Sequence, residues 1–147
     1  MGLGSGVGEV DPDEAWKILN SDETARLIDV RTHAEWSFVG VPDTREIGTA
    51  PIFVEWSSYP NMSVNPAFAA EVENATGSEN PGTLLFICRS GARSLQAAMA
   101  VTDHFARMGV SVTCSIRAAI ASVTREGQQK AGLVCTKSAT SGWCFLM

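Results

Sequence analysis

The sequence predicts an α/β fold, with a central parallel sheet flanked by helices on both faces. Three observations carry this prediction. Short apolar runs alternate along the chain with stretches of helical spacing, the order produced when crossover helices join parallel strands. Leu84 to Ile87 are continuously apolar, bounded by Pro81-Gly82 before and a small polar cluster after, so this strand is expected to be covered on both faces. At 147 residues with 45% hydrophobic content, the chain is long enough for one domain with a real core.

The elements follow in order. Residues 1–9, within "MGLGSGVGEV", read as a flexible glycine-rich terminus. "DPDEAWKILN" opens a helix: Asp11 is a cap, Pro12 suits the first helical position, Glu14 falls at the capping-box position, and Ala15, Trp16, Ile18 and Leu19 form an apolar stripe. "ARLIDV" reads as a short strand, "THAEWSFVG" as a short helix or turn ending at Gly40, and "APIFVEW" as the next strand after the break at Pro42-Asp43. "SSYPNMSVNP" is a loop by composition, and Pro66 starts a helix in "PAFAAEVENATG". After the strand to Cys88, Leu95, Ala98, Met99, Thr102, Phe105 and Met108 keep helical spacing until Gly109. "VSVTCSI" is the last clear strand. The domain is expected over residues 10–127, and residues 128–147 form a tail without a clear period.

Composition excludes several function classes. A formal net charge of -5 leaves no broad basic face for nucleic acid or an anionic membrane. No apolar run approaches a transmembrane helix, and the N-terminus lacks the basic and apolar regions of a signal peptide, so a cytoplasmic location is expected. The cysteines, at 88, 114, 135 and 144, show neither a CxxC pair nor zinc spacing, which points away from a disulfide framework or a metal site.

The chemistry concentrates in "CRSGARS". A loop of Cys88, Arg89, Ser90, Gly91, Ala92 and Arg93 joins the buried strand to a helix, so its N–H groups can curl towards one point as an anion-binding nest. The helix presents its partial positive charge to the same place, favouring an ionised sulfur and an oxyanion beside it. Gly91 permits the tight backbone, Ser90 or Ser94 can donate to the sulfur or cap the helix, and Arg89 and Arg93 add full charges. A strand-end cysteine is more often a small buried hydrophobe. Here the Cys-x4-Arg spacing, the adjacent arginine, the glycine and the following helix together favour a nucleophile.

"LIDVRTHAEWSFVGVPD" at 27–43 with "LLFICRSGARS" at 84–94 closely resembles the rhodanese-like, or sulfurtransferase, single-domain family, over residues 10 to 123. The resemblance implies a rhodanese-like α/β fold without a cofactor, in which Cys88 becomes a persulfide. Sulfur would come from an anionic donor such as thiosulfate and pass to a thiol or cyanide. It further implies that the amides of Arg89 to Ser94 cradle the persulfide and that Arg89 and Arg93 meet the donor. Asp29, Arg31 and Glu35 match the family's "DVR…E" segment; we assign them a supporting role, Asp29 bonding loop amides and Arg31 pairing with Glu35. His33 and His104 are read as isolated, without a partner. Trp36, Trp56 and Phe53 are assigned to the core, with Trp56 and Tyr59 as an alternative wall for the active-site mouth.

Two departures from the family pattern stand out. Gly40-Val41-Pro42-Asp43 replaces the usual Gly-His-Ile-Pro-Gly-Ala segment, and Ser115, Ala118-Ala119 and Val123 replace the usual polar, double-glycine and aromatic positions after the last strand. Two other functions therefore compete with sulfur transfer. One is a catalytically weak binding or regulatory module, consistent with the altered turn. The other is a phosphatase related to the dual-specificity enzymes, whose Cys-x5-Arg loop is one residue longer than the Cys-x4-Arg loop here.

Overall fold

The computed structural model describes residues 8–10, 12–77, 82–89 and 91–107, together with the backbone of four short strands nearer the C-terminus. In chain order the elements are β1 (Glu9–Val10), α1 (Pro12–Ser21), β2 (Arg26–Asp29), α2 (His33–Phe38), β3 (Val41–Pro42), β4 (Ile52–Phe53), β5 (Ser57–Ser58) and β6 (Ser63–Val64). There follow α3 (Phe68–Thr76), β7 (Leu84–Ile87), α4 (Ala92–Arg107), β8 (Ser115–Ile116), β9 (Gln129–Lys130), β10 (Leu133–Cys135) and β11 (Cys144–Leu146).

The parallel sheet runs β4-β2-β7, with Arg26 to Asp29 in register with Leu84 to Ile87. Side chains alternate across a strand, and here both sets are apolar. Leu27, Leu85 and Ile87 pack against Ala15 and Leu19 of α1 on one face. Ile28, Val30, Leu84, Phe86 and Cys88 pack on the other face against Phe68 and Val72 of α3 and Ala97, Ala98, Val101 and Phe105 of α4. Helices thus cover both faces, as the continuous apolar run of β7 requires. Each fully buried side chain of Leu or Phe size contributes about 1.5–3 kcal/mol. Backbone bonds extend the alignment beyond the strands: the N–H groups of Val30, Val54 and Trp56 donate to Ile87, Asp29 and Val30 at 3.0, 3.1 and 3.2 Å. The carboxyl ends of β2, β4 and β7 therefore lie side by side.

Several elements differ from the sequence-based expectations. β4 spans two residues, because past Phe53 the regular register ends: the Val54 and Trp56 N–H groups, two residues apart, donate to the adjacent carbonyls of Asp29 and Val30. The stretch expected as a loop contains the antiparallel hairpin β5–β6, with Ser57 opposite Val64. Pro66 precedes α3 by two residues rather than starting it, the Asn65 side chain accepting from the Ala67 N–H at 3.0 Å. Met99 is half exposed, since the buried stripe of α4 runs through Ser94, Ala97, Ala98, Val101 and Phe105. Phe53 is also partly exposed, contrary to its core assignment. Glu9 and Val10 pair in parallel with Ser115 and Ile116, and β9, β10 and β11 form an antiparallel sheet that adds to β3. The expected cap at Asp11, residues 1–7 of the expected flexible terminus 1–9, the expected stop at Gly109, the Ala118-Ala119 positions and Val123 lie outside the described residues, while Glu9 belongs to β1.

One turn tests the packing directly. Gly82 has φ of 69°, and a Cβ there would approach the Thr24 hydroxyl and carbonyl oxygens at 2.6 and 2.8 Å. Gly82→Ala is expected to cost about 1–3 kcal/mol through backbone strain and crowding, read as a lower urea midpoint at unchanged slope.

Candidate active site

β7 delivers Cys88 to the end of the sheet, and α4 begins four residues later. The connection is tighter than the six residues expected, because Ala92 and Arg93 already belong to the first turn of α4. Gly91 makes this possible with φ of 96°, a conformation that costs glycine little. The Cys88 sulfur receives the Gly91 N–H at 3.0 Å and the Ser94 N–H at 3.3 Å. The thiol in turn donates to Ser94 Oγ at 3.4 Å, and the Ser94 hydroxyl donates to the Gly91 carbonyl at 3.1 Å. These amides belong to the turn that starts a 16-residue helix, where N–H groups have no partner within the helix. Two donors aimed at one atom stabilise negative charge there. Cys88 is itself fully buried.

The charged residues pair differently from the sequence-based assignment. Arg31 does not meet Glu35. It folds inward on Asp29, with Nη2 at 2.6 Å from Oδ2 and Nε at 2.9 Å from Oδ1, and it donates to the Gly40 carbonyl at 2.8 Å. Both partners are wholly buried. Asp29 does bond a loop amide, that of Arg31 at 3.1 Å. The pair thus ties the end of β2 to the chain entering β3.

Glu35 pairs instead with Arg93. Nη1 lies 2.6 Å from Oε1 and Nη2 lies 3.0 Å from Oε2, joining α2 to the first turn of α4. Glu35 also closes a capping box with Thr32, whose hydroxyl accepts from the Glu35 N–H. Burial pushes the Glu35 carboxyl up, but the hydrogen bonds and charge of Arg93 outweigh it and hold the group below its usual value. Hydrogen bonding to Glu35 raises Arg93 against the opposing effect of burial. Because the Glu35 value is lowered on folding, the stability it contributes is present above its unfolded value and is lost as pH falls through the folded one. Thr32 was readable in the sequence, since Thr32-x-x-Glu35 is a capping-box pattern; the Glu35–Arg93 contact had no local signal.

The sequence pattern of the Rhodanese-like domain matches residues 11–118 of this chain, taking in the cradle and both ion pairs. The chain belongs to the rhodanese-like family. Among solved structures it is similar to the crystal structure of Rv0390 from M. tuberculosis, with 36% identity, a TM-score of 0.63 and coverage of 76% of each chain. Curated relatives include the uncharacterized protein RC0915 of Rickettsia conorii and an uncharacterized protein in the dnaA 5' region of Rickettsia montanensis. Each is 32% identical over 97 residues, covering 66% of this chain and 73% of the relative.

Around the rhodanese-like cradle, Arg89 is exposed and has no ion-pair partner among the described residues. Ala92 is exposed, and Ser90 lies outside the described residues. Trp56 packs edge-on against Phe68 beneath the Cys88 face, and its indole N–H donates to Gln96 Oε1 at 3.3 Å. Tyr59 is exposed on the β5–β6 connection. His104 is not isolated, since its Nε2 meets Glu73 Oε2 at 2.6 Å between α4 and α3. Two clefts, of about 450 Å³ beside Trp36 and Glu55 and about 380 Å³ beside Pro42 and Thr44, are lined by none of the cradle residues. Among the described residues no three of His, Cys, Asp or Glu group as metal ligands, and no helix is long and apolar enough to cross a membrane.

Proposed function

We propose that this rhodanese-like protein is a sulfurtransferase that carries sulfane sulfur on Cys88. The observation that carries this reading is the convergence of the Gly91 and Ser94 N–H groups on the Cys88 sulfur itself, at 3.0 and 3.3 Å. Donors placed this close to the reacting atom serve a group that gains and loses negative charge there. In the first step the Cys88 thiolate attacks the outer sulfur of thiosulfate. A new sulfur–sulfur bond forms, the old one breaks, and sulfite leaves with the electron pair. Cyanide or a thiolate then attacks the outer sulfur of the persulfide and restores the Cys88 thiolate. The two displacements balance without a redox partner, and they predict ping-pong kinetics.

The test is the mass of the protein after brief exposure to thiosulfate, with peptide mapping. A gain of one sulfur atom on Cys88, removed again by cyanide, is expected; an unchanged Cys88 overturns the reading. A second reading, a binding module of the same fold, draws support from the complete burial of Cys88, and it predicts no gain of sulfur. The phosphatase reading has less support, because the cradle closes on the sulfur atom rather than around a larger group.

Arg89 is assigned to donor recognition as the exposed cation of the loop. Arg89→Ala is expected to raise KM for thiosulfate roughly tenfold with kcat little changed, the signature of lost ground-state binding. Steady-state kinetics across thiosulfate concentrations check this.

A further inference from the structure

We infer that Glu35 is a positioning residue for transfer at Cys88, acting through Arg93 on the Ser94 amide. The inference rests on the sulfurtransferase reading and adds a residue that touches neither the sulfur nor the donor.

Three observations lead to it. Glu35 is a fixed anchor rather than a mobile surface acid: its Oε1 accepts from the Thr32 N–H and hydroxyl at 3.3 and 3.1 Å, and Thr32 is fully buried. From that anchor it grips both terminal nitrogens of Arg93, so the guanidinium is held at two points. Arg93 is joined by one peptide bond to Ser94, whose N–H lies 3.3 Å from the Cys88 sulfur. Any tilt of the first turn of α4 that moves Arg93 moves that amide as well.

An exposed ion pair is worth little, but this one has side chains only 21% and 19% exposed and joins elements far apart in sequence. Its effect falls on the geometry of the cradle more than on global stability. The pair also neutralises Arg93, which leaves Arg89 as the loop cation without an ion-pair partner among the described residues. Donor affinity then depends mainly on Arg89, and the rate of the sulfur step on Glu35.

Glu35→Gln is the informative substitution, because glutamine can keep the capping box with Thr32 while removing the charge that holds Arg93. With thiosulfate and cyanide, kcat is expected to fall about tenfold. KM is expected to fall severalfold, because the released Arg93 can meet the donor. General damage to the fold would not lower KM. In an Arg93→Met background, Glu35→Gln is expected to have no further effect on kcat, since the two side chains act as one unit. Amide hydrogen exchange gives a readout independent of activity: the Ser94 amide is expected to exchange at least about tenfold faster in Glu35→Gln, with the β7 amides unchanged. Unaltered Ser94 exchange, or rate losses that simply add in the double variant, overturns the proposal. Should the wild type take up no sulfur, the sulfurtransferase reading fails while the exchange experiment still decides whether Glu35 holds the cradle.

Discussion

Cys88→Ser is expected to abolish sulfur transfer from thiosulfate to cyanide, by at least about a thousandfold in kcat/KM. A serine hydroxyl cannot carry a persulfide, so the loss is of the intermediate itself and not of a tuning effect. The variant is also a clean one structurally. Serine is close in size to cysteine, and its oxygen can accept from the same Gly91 and Ser94 amides that now point at the sulfur. Thermal stability is therefore expected to change by no more than about 1–2 kcal/mol, within the range of hydrogen-bonding substitutions. Turnover of thiosulfate, measured as thiocyanate formed, checks the first claim, and a melting curve checks the second. Substantial activity in Cys88→Ser would move the chemistry to another residue and remove the reason for the cradle.

The second large effect is on stability and lies beneath the cradle. Asp29→Ala removes the carboxylate that the wholly buried Arg31 guanidinium meets at 2.6 Å, and the bond to the Gly40 carbonyl does not replace its charge. Removing one member of a buried ion pair costs about 3–5 kcal/mol, because the charge left behind has lost its water and its partner. For a domain of this size that corresponds to a melting temperature lower by roughly 10 °C or more. Removing both charges is a different experiment. Asp29→Ala with Arg31→Met is expected to recover much of the loss, since an apolar pair needs no compensation. Differential scanning calorimetry of the two variants separates these outcomes; a melting temperature within about 2 °C of wild type for Asp29→Ala would mean that Arg31 finds another partner.

Much of the site was legible because it is local. Cys88, Gly91 and Ser94 lie within seven consecutive residues, and a strand end followed by a glycine turn and a helix determines how their N–H groups converge. The capping box at Thr32 and Glu35 is equally local, and it competes with the sequence-based assignment of Glu35 to Arg31, four residues before it. That assignment failed for a physical reason. Arg31 lies two residues past the end of β2 and turns inward, where it meets the Asp29 carboxylate. Glu35, one turn into α2, faces the other way, towards α4.

What the sequence alone determined is the order of the main elements α1, β2, α3, β7 and α4, the covering of the sheet on both faces and the place of Cys88 at the end of a buried strand. Each depends on spacing along the chain: apolar runs of strand length, helical periodicity, and a cysteine placed where a buried strand meets a helix. What only the tertiary structure decided is which charges are matched. Glu35 and Arg93 are separated by 58 residues and meet at 2.6 Å because β2 and β7 run parallel and in register, which brings the segments after both strands to the same end of the sheet. Ion pairing follows distance in space, and sequence spacing constrains that distance only within a turn or two. The same pairing turned an expected cluster of two donor-binding arginines into one held by Glu35 and one without an ion-pair partner among the described residues, a distinction that no reading of "CRSGARS" by itself contains.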